Sequence, residues 1–338
     1  MTRQGAGTLS GQRASRVVVL AALSASLLVP LALGGEEALH AALGFPARAY
    51  PLILGAVAAS WLCRAVKLQL LLERLAVRHA FLHTFAMSVA TEFGFAATPA
   101  GIGGYAASVY YLQRAGTTSS GAATLTAADQ VLDLIFFALA FPLAALAMPA
   151  AAAPAGISGV LRGMSAAMFA GACLAWFARR PLRRWMSGAA AGTPRGLADA
   201  LRSFVAGMCA DTAIVLRGGP PFLCALLGLT ALQWLGRYGV LWLVLAALGN
   251  PGSFAAVFLL QACVLHAAQW TGIPSGAGAV ELGIGAALFT SVPAVDLAAG
   301  LLVWRAATVY SILGAGALAI AWLARRASAD AVSAVSAG

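Results

Sequence analysis

Apolar runs at about 16–34, 49–72, 80–98, 119–148, 157–178, 221–248, 253–273 and 296–323 occupy most of this 338-residue chain. A stretch of roughly 20 apolar residues crosses a hydrocarbon core about 30 Å thick. Within that core every backbone N–H and C=O must find a partner inside the protein, which is why apolar runs of this length read as helices. Composition agrees: 61% of residues are hydrophobic and 9% charged, where a soluble domain carries about 25% charged residues. The expected fold class is an all-α polytopic membrane protein.

The net charge of +10 comes from 20 arginines and one lysine. Most of the arginines lie in a few segments between apolar runs, as the positive-inside rule requires of cytoplasmic loops. Charge that follows topology in this way gives no ground for nucleic-acid binding. Five cysteines (Cys63, Cys173, Cys209, Cys224, Cys263) form no CxxC pair, and they imply buried thiols, with neither a disulfide framework nor a metal site. The start, "RASRVVVLAALSASLLVPLALGG", has the basic flank and apolar core of a signal peptide but no clear small-x-small cleavage site. It reads as a retained first span.

Charge also sets the topology. The N-terminal side holds Arg3, Arg13 and Arg16, and the chain returns to it at Arg74 and Arg78. The stretch 179–219 carries seven arginines, and the last span ends at Arg325 and Arg326. The segments "MPAAAAPAG", "GNPGS" and "SVPAVD" carry no Lys or Arg. Both termini are therefore expected in the cytoplasm, with residues 1–15 and 327–338 as tails.

Two stretches interrupt this pattern: "ATPAGIGGYAASVYY" (97–111) and "GIPSGAGAVELGIG" (272–285). After the first break, residues 103–114 reach only about 18 Å as a helix, too short to span. A full crossing by 80–98 would place the arginine cluster at 179–219 outside. A re-entrant hairpin near 80–114 keeps it inside, and the same reasoning places a second hairpin near 253–290, entering from the opposite face. The expected architecture is about six full spans and two re-entrant hairpins, arranged as an inverted repeat of 16–148 and 157–326. The repeat has landmarks. Trp61-x-x-Arg64 precedes Pro99-x-Gly101-x-Gly103 by 35 residues (Arg64 to Pro99), and Trp234-x-x-Arg237 precedes Pro274-x-Gly276-x-Gly278 by 37. Asp129 follows Pro99 by 30 residues and Arg305 follows Pro274 by 31. Residues 195–218 fall outside this scheme, with Leu197, Leu201, Phe204, Met208 and Val215 near one helical face, as in an interfacial helix.

Broken helices at bilayer depth are tolerated only where protein or a polar cavity satisfies the freed backbone. A short helix starts after each PxGxG, and its N-terminal N–H groups attract negative charge. Close helix packing by small residues is the alternative role for these glycines. Candidate substrate-binding positions are Pro99, Gly101, Gly103, Gly104, Tyr105, Pro274, Gly276, Gly278 and Glu281, together with Arg237 and Arg305, whose guanidinium groups fit phosphate oxygens bidentately. Intramembrane Glu92, Asp129 and Asp133 are candidates for gating or coupling. The alternative role of Asp129, Asp133, Glu281, Arg237 and Arg305 is to fix helix register as buried ion pairs. Arg64 and Lys67 belong to the same set of intramembrane charges, with snorkelling as the alternative because they lie nearer the cytoplasmic end of their span, and His266 reads as a hydrogen-bonded helix residue. No HExxH, GxSxG or metal-ligand cluster occurs, so no catalytic set, cofactor or metal is expected.

"PAGIGG", "PSGAGAVE" and "LLVWRAATVYSILGAG" resemble the transmembrane region of lysylphosphatidylglycerol synthases, a region that also stands alone in flippase-like membrane proteins. The likeness covers roughly 16–326 and is most specific at Pro274–Glu281, Arg305 and Tyr310. Family members often carry an acidic residue after the first glycines, where Tyr105 stands here. They often carry an Arg four residues after an acid-rich helix start, where Gln130 here lies between Asp129 and Asp133. The resemblance implies a lipid translocase of the bacterial inner membrane. Its partners would be membrane lipids with an anionic headgroup, with a homo-oligomer or a lipid-pathway partner also open. Aminoacyl transfer, the property of a separate soluble domain, is not implied. The alternatives are a carrier for a small soluble anion, an intramembrane lipid-modifying enzyme and a non-transporting accessory protein of a lipid pathway.

Overall fold

The structure, a computed structural model, describes residues 4–148 and 195–336 together with positions 159, 163, 166 and 170. The expected span at 157–178, most of the arginine-rich segment up to Arg184, and Cys173 lie outside the described residues. Every regular element among the described residues is helical. In chain order these are α1 (Gln4–Leu43), α2 (Tyr50–Arg74), α3 (Phe81–Ala97), α4 (Ile102–Arg114), α5 (Ser119–Ala147), α6 (Arg195–Leu216), α7 (Gly219–Ala247), α8 (Phe254–Gln269), α9 (Ala279–Leu288), α10 (Ala294–Arg305) and α11 (Ser311–Ser336). A π-helical turn, Ala306–Tyr310, joins the last two into one continuous rod.

Five segments are long and apolar enough to cross a membrane: 21–43, 47–74, 119–147, 219–247 and 294–329. The helix of the first begins already at Gln4, inside the expected tail, since no proline interrupts the chain before Pro30. It kinks at Gly35, whose φ of 60° an L side chain rarely adopts. Prolines in the first turn start α2 and α7 without loss of a helical hydrogen bond. Thr118 caps α5 by accepting the Gly121 N–H at 3.0 Å.

Helices α3 and α8, with 17 and 16 residues, are shorter than the five long apolar segments. Each instead folds back through a 3-10 turn, Pro99–Gly101 or Pro274–Gly276, into the short helix α4 or α9. Small residues allow the first fold-back: a Cβ on Gly94 would lie 2.7 Å from the Gly103 carbonyl, and one on Gly104 would strike the Phe95 ring at 2.2 Å. The two hairpins share an unusual backbone. Ala100 and Ser275 have φ values of 52° and 56°, and Gly101 and Gly276 follow at 71° and 60°.

Helix α2 packs along α7, α3 along the α10–α11 rod, and α5 against α8. At the α2–α7 crossing, a Cβ on Gly236 would come within 3.1 Å of the Ala56 carbonyl. One apolar core joins Ile53 and Val57 to Val240, Leu260, Ile284 and Leu301. A second, aromatic core places Phe136, Phe137 and Phe141 on Tyr238 and Phe258. Helix α6 rests on the start of α5: Ser120 donates to Asp211 at 3.0 Å, and Val215 is buried while Leu201 and Phe204 stay exposed. The described cysteines 63, 209, 224 and 263 are free thiols.

Candidate functional site

The two hairpin tips meet. Ser275, in the second tip, donates its hydroxyl to the carbonyl of Ala96 at the end of α3, at 2.7 Å. Beside this contact lies a cavity of about 450 Å³, walled by residues from both hairpins and from α2, α5, α7 and α10. A volume of that size suits a small ligand or a headgroup.

Charged side chains gather on one flank of the cavity. Arg64 and Lys67 point from one face of α2, Asp129 and Asp133 from one face of α5, and Trp234 and Arg237 from one face of α7, as spacings of three and four require. Arg64 pairs with Glu92 of α3 and, at 2.9 Å, with Asp129. Lys67 reaches Asp129 at 2.7 Å and Asp133 at 3.5 Å, and it donates to Thr230 of α7 at 3.3 Å. Arg237 closes the network on the other oxygen of Glu92 at 2.6 Å. The Trp234 indole N–H donates to Asp133 at 2.9 Å. Glu92, 3% exposed, thus bridges an arginine of α2 and an arginine of α7. Three cations balance three carboxylates, which is how a group of this size tolerates burial.

The second cluster is smaller and deeper. Arg305 Nε donates to Glu281 at 2.6 Å, and its Nη1 reaches the Ser275 carbonyl at 3.3 Å. The other oxygen of Glu281 accepts the Gly278 N–H at 2.7 Å, closing the first turn of α9 from within. The π-helical turn begins one residue after Arg305. Such single-turn bulges recur at functional sites. Within it, the Tyr310 hydroxyl is tied to Ser26 and to the Leu23 carbonyl of α1, at 2.7 and 3.0 Å.

Of the residues singled out in the sequence, Glu92, Asp133 and Arg237 line the cavity on the charged flank, and Gly101, Tyr105, Gly276 and Arg305 line it at or near the tips. Pro99, Gly103, Gly104, Pro274, Gly278, Glu281 and Asp129 stand behind that lining and shape it. The helix N-termini at the tips are partly occupied by the chain's own groups. Thr98 accepts the Gly103 N–H at 2.8 Å, and Glu281 takes that of Gly278. An incoming anion therefore meets arginines more than free backbone donors.

For Arg64 and Lys67 the structure favours the buried charge over the snorkelling alternative: Lys67 is 1% exposed and both belong to the ion network. Their i,i+3 spacing beside the Asp129/Asp133 pair was the available signal, but only the fold puts the two faces together. Ser275 gave no signal, because a serine in a Gly-rich turn is ordinary turn chemistry. His266 is as expected, its Nδ1 at 2.7 Å from the Ala262 carbonyl one turn earlier.

Comparison with curated proteins gives no match. A family profile, described as the lysylphosphatidylglycerol synthase TM region, matches residues 15–316, which take in all of α2–α10 and hence both hairpins and both charged clusters. The chain belongs to that family, the lysylphosphatidylglycerol synthase TM region.

Proposed function

We propose that this protein is a lipid translocase of the bacterial inner membrane, passing an anionic headgroup between leaflets through the cavity at the hairpin tips. One observation carries the reading. Charged side chains from both halves converge, buried, on a cavity where two helix breaks meet, and intramembrane charges of this kind mark substrate pathways. Membership of a family of lipid-related membrane proteins supports it.

In this proposal α3–α4 and α8–α9 are re-entrant hairpins, entering from the cytoplasmic and the outer face respectively. The five long spans and the span expected at 157–178 then form two inverted repeats, 16–148 and 157–326, with both termini inside. The matched left-handed backbone at 100–101 and 275–276 supports that symmetry. Arg237, 29% exposed on its side chain, is the most accessible arginine of the network and the first to meet a phosphate. The phosphate competes with Glu92 for the guanidinium, and rocking of one half against the other exposes the site to each leaflet in turn. Acyl chains stay in the bilayer throughout. No covalent chemistry on the lipid is involved.

The test is transfer of a fluorescent phospholipid in liposomes containing the purified protein, read by dithionite quenching. Protein-dependent loss of inner-leaflet signal, slowed by Arg237→Gln, is the expected result. Transfer unaffected by Arg237→Gln, by Arg305→Ala and by Gly278→Leu would overturn the site. A changed lipid composition with unchanged leaflet distribution would instead mark an enzyme.

A further inference from the structure

The buried carboxylates of the two clusters are not equally satisfied. Glu92 has one oxygen on Arg64 and one on Arg237, and Asp129 has one on Arg64 and one on Lys67. Glu281 gives one oxygen to Arg305 and the other to the Gly278 N–H. Asp133 differs. Trp234 and Lys67 both approach its Oδ1, at 2.9 and 3.5 Å, and its Oδ2 has no partner among the described residues. The ammonium is shared as well, since Lys67 lies closer to Asp129, at 2.7 Å. Asp133 lines the cavity, with a side chain 13% exposed. It is the least compensated carboxylate of the two clusters, and the cavity reaches it.

A chain of shared ion pairs joins Asp133 to the far end of the network. Lys67 is shared by Asp133 and Asp129, Arg64 by Asp129 and Glu92, and Glu92 by Arg64 and Arg237. The two ends of this chain, Asp133 and Arg237, both line the cavity. With every group ionised, three cations face three carboxylates, and the network has no net charge with which to draw an anion. One proton from solvent on Asp133 Oδ2 leaves a net charge of one positive. Lys67 then turns wholly to Asp129, the hold of Asp129 on Arg64 slackens, and Arg64 takes more of Glu92. Arg237 is left for a phosphate, and the arriving anion restores the neutrality that burial demands.

We infer that Asp133 takes up a proton when an anionic headgroup binds at Arg237, so that anion and proton enter the site together. This deepens the lipid-translocase reading and rests on it. By linkage, the anion strengthens proton binding by the same factor as the proton strengthens anion binding. Affinity for the anion therefore rises as pH falls, by up to about tenfold per pH unit for one linked proton. It levels off once Asp133 is protonated in the empty site.

Other titratable groups face the same space. Arg64 of α2, Glu92 of α3, Tyr105 of α4, Arg237 and Tyr238 of α7, His266 of α8 and Arg305 of α10 line the cavity, with Lys67 and Asp129 behind Asp133. Arginine, lysine and tyrosine ordinarily keep their protons at neutral pH. Histidine is the group that ordinarily exchanges there, so His266 serves as the control.

Purified full-length protein is titrated with dihexanoyl-phosphatidylglycerol by calorimetry in buffers of different ionisation enthalpy. Uptake of about one proton per lipid is expected, with affinity rising as pH falls. Asp133→Asn keeps an oxygen for Trp234 and imitates the protonated carboxyl. It should bind the lipid with no proton uptake and a flat pH profile, whereas His266→Gln should keep both. In liposomes, a pH gradient should drive fluorescent phosphatidylglycerol toward the alkaline side in the wild type and have no effect in Asp133→Asn.

Binding without proton uptake by the wild-type protein overturns the inference, and that result depends on no variant. So does a pH dependence that survives in Asp133→Asn or disappears in His266→Gln. Affinity that follows sodium concentration at constant pH makes the coupled ion a metal cation and overturns it too. Glycerophosphoglycerol, the same headgroup without acyl chains, separates the sources: proton-linked binding of it and of no lipid overturns the lipid source. The translocase reading falls separately. Proton-linked binding with no transfer in liposomes leaves the role of Asp133 standing, while transfer indifferent to pH removes that role alone.

Discussion

The two hairpin tips share a left-handed backbone at 100–101 and 275–276 and carry different locks. Counted from the tip prolines, Gln130 stands 31 residues after Pro99, as Arg305 stands 31 after Pro274. In the second half Arg305 is paired with Glu281 in full burial. In the first, Gln130 accepts a hydrogen bond from the Tyr105 hydroxyl at 3.1 Å, where Tyr105 is 42% exposed. The two departures from the family pattern thus touch each other, and a neutral, half-exposed contact stands where the other half has an ion pair. Positive charge in the first half comes from α2 instead, through Arg64 and Lys67. The second tip is fastened by a buried ion pair and the first by a half-exposed neutral contact.

The largest effect should come from breaking the fixed lock. Glu281→Leu leaves Arg305 buried and unpaired and uncaps the start of α9. Removing one partner of a buried pair is destabilising by about 3–5 kcal/mol. Thermal unfolding in detergent should show a large drop in midpoint or failure to accumulate folded protein. A near-neutral result would remove the distinction between the tips. Glu92→Gln comes next, weakening two arginine contacts while leaving an amide oxygen to accept, with a loss of about 1.5–3 kcal/mol. It should also free Arg237, so lipid transfer in liposomes should change even where the variant remains folded. Stability lost with transfer unaltered would make Glu92 purely structural.

Helix content and the helix breaks at 99–101 and 274–276 were legible in the sequence because each rests on a local rule. Apolar length separates 29-residue α5 and α7 from 16-residue α8, and a proline followed by glycines marks where each short helix must stop. Pairing was not legible. Nothing in "WLCRAVKLQL" says that Arg64 and Lys67 turn inward, because their partners lie on α3 and α5 and come together only through packing. Tyr105 and Gln130, 25 residues apart, gave no pairing signal either. The unpaired oxygen of Asp133 is a property of its surroundings, and no pattern of residues in one chain announces it. The π-turn after Arg305 is likewise not reported by helix propensity.

Glycine substitutions at the tips probe the shared scaffold. Gly104→Ala drives a methyl group into the Phe95 ring, and Gly276→Ala meets Ala268 at 2.6 Å from a backbone with φ of 60°. Overpacking and a left-handed alanine are each destabilising by about 1–3 kcal/mol. Gly276→Ala carries both penalties and Gly104→Ala only the first, so Gly276→Ala should lower the unfolding midpoint further. Equal midpoints for the two variants would show that the left-handed backbone at the second tip relaxes without cost.

The smallest effect should be that of Tyr105→Phe. The substitution removes one neutral hydrogen bond at a half-exposed site where water replaces the lost partner, so stability should change by about 0.5 kcal/mol or less. Phe also keeps the ring that packs edge-on against Phe95 at 4.9 Å. Its effect on transfer should be a gain. If the Tyr105–Gln130 contact holds the first tip closed, its removal lowers the barrier to opening and lipid transfer speeds up, while the unfolding midpoint stays in place. Slower transfer at unchanged stability would place the Tyr105 hydroxyl on the substrate and not on the gate. A drop in stability as large as that of Glu281→Leu would mean that the first tip is locked as firmly as the second, and the asymmetry between the halves would then have to come from the Arg64–Glu92–Arg237 bridge.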